Sequence, residues 1–94
     1  MGRRLEPQEA LGQAIRELRT QRSLTQRQLA DAADVNETWI SHIEAGRTNP
    51  AWGTVARIAT ALSVRVSELA QLAEHRAGAA ANEDGETVDP AGSV

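Results

Sequence analysis

The stretch TQRQLADAADVNETWISHIEAG, residues 25–46, carries two helix starts with one short break between them. Thr25 and Gln28 spell a capping box: a threonine hydroxyl accepts from the backbone N–H three residues on, and the glutamine side chain reaches back. Leu24 and Leu29 occupy the two positions of a hydrophobic staple around it. This helix ends near Ala32-Ala33, because Asp34-Val35-Asn36 follows. Asn36 is a strong N-cap for the next helix, with Glu37 beside it to complement the helix dipole. That helix is expected over Glu37 to Ala45, with Gly46 as a left-handed C-terminal cap. About three residues between two short amphipathic helices is the spacing that crosses them steeply and leaves the second one projecting.

The flanking sequence supplies three more helices. Glu6-Pro7 opens the first, and Leu11, Ala14, Ile15 and Leu18 form one apolar stripe along it until Ser23-Leu24 breaks the run. A fourth helix follows the Arg47-Thr48-Asn49-Pro50 loop, with Trp52, Val55, Ala59 and Leu62 as its expected buried stripe and Ile58 beside them. After a break at Ser63 to Val66, Ser67 is expected to cap a fifth helix with Glu68 in its first turn and Leu69, Leu72 and Ala73 inside.

Ninety-four residues allow one domain with one modest core. Without Phe, Tyr or Cys, and with only Trp39 and Trp52 as aromatics, that core must be Leu, Ile, Val and Ala. Disulfides, thiolate metal sites and a thiol nucleophile are excluded together. No run approaches a membrane span, and no signal peptide is legible, so a soluble, cytoplasmic, all-α domain is expected.

The formal charge of −3 is unevenly spread. All ten basic residues are arginines lying before Gly78 with nine acids, a balance of +1; Glu83, Asp84, Glu86 and Asp89 give the remainder −4. The expected organisation is an N-terminal arm over 1–8, the helical domain over 9–76, and a disordered acidic Ala/Gly tail over 77–94. A solubilising terminus is the simpler reading of that tail than a regulatory one. Nothing folded is expected after the fifth helix, which speaks against an appended ligand-sensing domain.

On a helical wheel, Ile40 and Ile43 share one face, flanked by Trp39 and Glu44, while Glu37, Thr38, Ser41, His42 and Ala45 share the other. That outer face is short, polar and free of long hydrophobes, as an ordinary surface helix would also be. Enzymatic readings fare badly. The two histidines lie 33 positions apart with no carboxylate at metal-ligand spacing around either. Ser41 and His42 are adjacent on a helix and point apart, so they form no nucleophile–base pair. There is no Gly-rich phosphate loop. No catalytic residue, metal or cofactor is expected.

The run Leu24 to Ala30, then Trp39 to Gly46, then Asn49-Pro50 resembles the Cro/phage-repressor (XRE) helix-turn-helix family. The stretches Val55 to Leu62 and Val66 to Leu69 are similar to that family's fourth and fifth helices, so the resemblance covers roughly residues 10–74. It implies a compact five-helix, lambda-repressor-like DNA-binding domain. Two positions depart from the pattern. Asp34 stands where a glycine is usual between helices two and three, a modest cost because Asp tolerates a left-handed backbone. Ser63 stands where a glycine usually follows helix four, and a different helix end is expected there.

The resemblance implies that helix three lies in the major groove of duplex DNA. Glu37, Thr38, Ser41 and His42 match the base-reading positions. Thr38 offers a hydroxyl and a methyl, His42 can donate to guanine, and Glu37 can accept only from cytosine N4. Glu37 serves equally well as a dipole partner, whereas for His42 base reading outweighs the alternative of an ordinary exposed histidine. Gln26, Asn36 and Arg47 match positions of phosphate contact, and Arg27 lies near enough to add charge. Arg19 and Glu44 match a structural pair joining helix one to the end of helix three; Arg16 and Arg22 read as solvated surface.

A single module covers few base pairs, so a homodimer on a pseudo-palindrome is expected, with Val66, Ala70 and Leu72 as the outward apolar groups on helix five; all three filling the core is the competing reading. Three functions fit: a transcriptional regulator, most simply a repressor; an antitoxin that represses its operon and binds a toxin protein; or a protein-interaction module with weak DNA binding. Controllers of restriction–modification operons fall within the first.

Overall fold

The computed structural model describes residues 4–82, which form five helices and, among the described residues, no strand. They are α1 (Pro7–Gln21), α2 (Gln26–Ala33), α3 (Glu37–Glu44), α4 (Trp52–Ala61) and α5 (Val66–Asn82). Three of the five begin with the same local device. A Glu or Gln at the third helical position turns back to accept the backbone N–H of the capping residue: Glu9 from Glu6, Gln28 from Thr25, and Glu68 from Arg65, each at 2.8 Å. Donors that helix geometry leaves open are thereby satisfied within four residues of sequence.

Every helix contributes to one core. Ala14 and Ile15 of α1, Leu29, Ala30 and Ala33 of α2, Ile40 and Ile43 of α3, Val55, Ile58 and Ala59 of α4, Leu62 just beyond it, and Leu69 of α5 are all buried. Long α1 lies along α5 and also meets α3, while α2 packs on α4 and α3. An ion pair between Glu17 and Arg76 ties α1 to α5 at the edge of this packing. Among the described residues no helix is long and apolar enough to cross a membrane.

Several details differ from expectation. Trp52 is 71% exposed rather than buried. It is the first residue of α4, and because helical Cα–Cβ bonds lean toward the N-terminus its side chain overhangs the core instead of joining the stripe of Val55, Ala59 and Leu62. Ser67 is not the cap of α5. The helix starts two residues earlier, at Val66, with Arg65 in the capping position and its carbonyl accepting from Leu69 at 3.0 Å. Glu68 accepts from the Arg65 amide, so the reach-back half of a capping box forms without a hydroxyl at the cap.

Ser63 does not produce a different helix end. It adopts the left-handed conformation usual for glycine (φ 61°), and Val64 closes the turn by donating to Ala59 at 3.0 Å. Lastly, α3 ends at Glu44, with Ala45 as its C-cap and Gly46 (φ 74°) making the left-handed turn that follows. The helix α5 takes in 77–82, and the rest of the expected acidic tail, 83–94, lies outside the described residues, as do residues 1–3 of the expected arm.

Candidate nucleic-acid interface

The turn from α2 to α3 is made by Asp34 in a left-handed conformation (φ 58°, ψ 48°), with Val35 donating back to Ala30 at 2.9 Å. Asn36 follows as the cap of α3, its Oδ1 accepting from the Thr38 amide at 2.7 Å. The helix is thereby started at a fixed point and angle relative to α2. Ile40 and Ile43 drive its inner face into the core.

Glu44 anchors the far end. Its carboxylate is buried and receives Arg19 Nε at 2.6 Å on Oε2 and Arg19 Nη2 at 3.0 Å on Oε1. Arg19 Nη1 also donates to the Leu24 carbonyl at 2.7 Å, so one guanidinium joins α1, the turn before α2, and the end of α3. A forked arginine–carboxylate pair of this kind fixes orientation as well as distance. Burial raises the penalty for losing either partner.

Backbone approach completes the anchoring. A Cβ built on Gly12 of α1 would stand 2.3 Å from the Ile43 carbonyl oxygen and 2.8 Å from that of Glu44. Only a glycine lets α1 come this close to the end of α3. At Gly46 a Cβ would meet Glu9 Cγ at 2.9 Å, so the chain leaving α3 is held against α1 as well. Gly12 escapes a reading of the sequence, although a lone glycine within an apolar helical stripe is the signal that could have found it.

With its back held, α3 presents Glu37 and Thr38 as exposed and Ser41 and His42 as half-buried residues on successive turns. These are the four expected base readers, and α3 brings them together. Trp39 borders them, 39% exposed, and its ring meets that of His42 edge-on with centroids 6.5 Å apart. Between α3 and α4 lies an open cleft of about 430 Å³, lined by Asn36, Thr38, Trp39, His42, Thr54 and Arg57 among others.

The expected phosphate-binding residues divide between the two ends of α3. Gln26 is half-buried in the first turn of α2 and donates from Nε2 to Glu44 Oε1 at 3.1 Å, which holds it beside the C-terminal end of α3 and leaves its second amide hydrogen open. Arg27 is exposed next to it. Arg47, also exposed, follows Gly46, its backbone amide donating to the His42 carbonyl at 3.0 Å. Asn36 sits at the N-terminal end, with Oδ1 engaged in capping and its side-chain nitrogen directed to nothing among the described residues. On α5, Val66 and Leu72 are half-buried against the core, while Ala70 is exposed.

The model of a helix-turn-helix domain family matches residues 10–72. The chain is similar to the immunity repressor protein of Bacillus phage phi105, 39% identical over 59 residues that make up 63% of this chain and 41% of that protein. It spans less than half the length of the curated relatives it matches. Among solved structures, the clp gene regulator ClgR from Corynebacterium glutamicum superposes with a TM-score of 0.79 at 32% identity, covering 87% of this chain and 88% of that one. The restriction–modification controller protein C.AhdI from Aeromonas hydrophila gives a TM-score of 0.65, also at 32% identity, over 66% of this chain and 94% of that one.

Proposed function

The chain belongs to the helix-turn-helix domain family, and from that premise we propose that it is a sequence-specific, duplex-DNA-binding transcriptional regulator, a cytoplasmic repressor acting as a homodimer on a pseudo-palindromic operator. The observation that carries this reading is the fixation of α3. Arg19 and Gln26 converge on Glu44, Gly12 admits α1 against the helix end, and a polar face of Glu37, Thr38, Ser41 and His42 is left outward. A helix held this firmly from behind is pre-organised to place side chains against base edges. The relatives, an immunity repressor, a gene regulator and a restriction–modification controller by name, support the same reading.

In this reading Thr38 and His42 read bases, Ser41 and Glu37 supply further donor and acceptor choices, and Gln26, Arg27, Asn36 and Arg47 bind phosphates on either side. Selection of bound duplexes from a random pool tests the proposal. A single enriched sequence with two-fold symmetry is the expected result. A pool that remains random after repeated rounds contradicts it.

A further inference from the structure

We propose that Arg57 of α4 binds a DNA phosphate beside the N-terminal end of α3, a contact that rests on the duplex-binding reading above and adds a second anchor to it. Arg57 lines the cleft between α3 and α4 together with Asn36, Thr38, His42 and Thr54. It also lines a neighbouring cleft with Ala32, Asp34 and Thr60, and so stands on the ridge between the two. Its Nε donates to the Ala33 carbonyl at 3.1 Å, at the last residue of α2. That bond fixes the plane of the guanidinium at the mouth of the cleft. The terminal nitrogens donate to nothing among the described residues, and Nη1 lies beside the first turn of α4, 3.9 Å from where a Cβ on Gly53 would be.

Charge and geometry both point to an anion from the duplex backbone. The acids near this end of α3 are Asp34 and Glu37, both exposed, and neither forms an ion pair with Arg57. A phosphate approaching the N-terminal end of α3 would meet that negative charge with only the neutral Asn36 to receive it. Arg57 is the one arginine in the cleft, already oriented and with both terminal nitrogens unspent. Gln26 and Arg47 stand at the opposite end of α3, so phosphate contacts at both ends would set the register of the reading helix along the groove. A guanidinium fork suits a phosphate's paired oxygens, and prior fixation of one edge lowers the ordering cost of binding with the other.

The test uses the duplex selected by the wild-type protein. Arg57→Gln is expected to bind it roughly tenfold more weakly at low salt, with a dependence of log K on log[salt] shallower by about 0.9, and with unchanged base preference. Replacing phosphates one at a time by methylphosphonates should identify a position that weakens wild-type binding and leaves Arg57→Gln indifferent. Arg57→Lys keeps the charge and should keep the wild-type slope, which separates a phosphate role from the structural bond to Ala33. A Gln variant with the full slope, a Lys variant as shallow as Gln, or methylphosphonate effects identical in wild type and Arg57→Gln would overturn the proposal. A wild-type protein that binds every duplex alike would contradict the regulator reading instead.

Discussion

Gly12 sits mid-helix, where alanine is ordinarily the better residue by about 0.8–1.0 kcal/mol. Here the sign reverses. The added Cβ would press on two backbone carbonyls of α3, which cannot swing aside as a flexible side chain could, and overpacking of that kind costs about 1–3 kcal/mol, occasionally more. Gly12→Ala is therefore expected to destabilise the fold by up to about 2 kcal/mol net of the propensity gain, and to weaken DNA binding by shifting α3. Thermal unfolding checks the first effect; a variant more stable than wild type would show that α1 and α3 have room to part. A second residue-scale prediction separates reading from positioning. Thr38→Ala or His42→Ala should cost about 1–3 kcal/mol on the preferred site and relax preference at one or two base pairs. Gln26→Ala should weaken all duplexes alike, since phosphate contacts carry no direct sequence information. Altered base preference in the Gln26 variant would reverse the assignment.

Among the elements, those whose ends are set by neighbouring residues were legible in the chain. Thr25 with Gln28 and Asn36 with Thr38 start α2 and α3 by bonds spanning two or three residues, and both starts fall where the sequence reading puts them. What required the folded molecule is longer in range. The exposure of Trp52 depends on where the core ends beneath α4, the partner of Gln26 lies eighteen positions away, and Arg57 reaches α2 only once α4 has packed. Ser63 is the opposite case, a local signal overridden by tertiary demand. Leu62 and Leu69 are both fully buried on either side of it, so the chain must turn sharply there whatever residue is present. The left-handed conformation costs a side-chain-bearing residue roughly 1–2 kcal/mol, of which part is returned by its lower unfolded-state entropy. Ser63→Gly should thus raise stability by about 0.5–1 kcal/mol. Asp34→Gly should give less, because Asp is at home in that region. Chemical denaturation of the two variants ranks them, and no gain at Ser63 would mean that its turn carries no strain.

At the scale of the whole molecule, the proposed function asks for more than one α3. A single reading helix would span only a few base pairs, and selective occupancy among genomic competitors would call for a second copy about 34–36 Å away on the same face of the duplex. The α5 surface with Val66, Ala70 and Leu72 is the proposed meeting face. Because Val66 and Leu72 already pack in part against the core, a dimer there would bury what remains of them rather than a wholly free patch. Leu72→Glu is expected to sediment as a monomer at micromolar concentration where the wild type is dimeric; equal dimerisation of the two would move the interface elsewhere.

The expectations for base reading, phosphate contact and pairing on an operator rest on α3 discriminating one duplex from another, and a single titration addresses that directly. The protein is titrated with its selected duplex and with a scrambled duplex of equal length at two salt concentrations. If α3 reads sequence, the selected duplex binds about 10³-fold more tightly than the scrambled one, with both affinities falling steeply as salt rises. Equal affinity for the two duplexes would contradict it and leave the fold as a protein-interaction module.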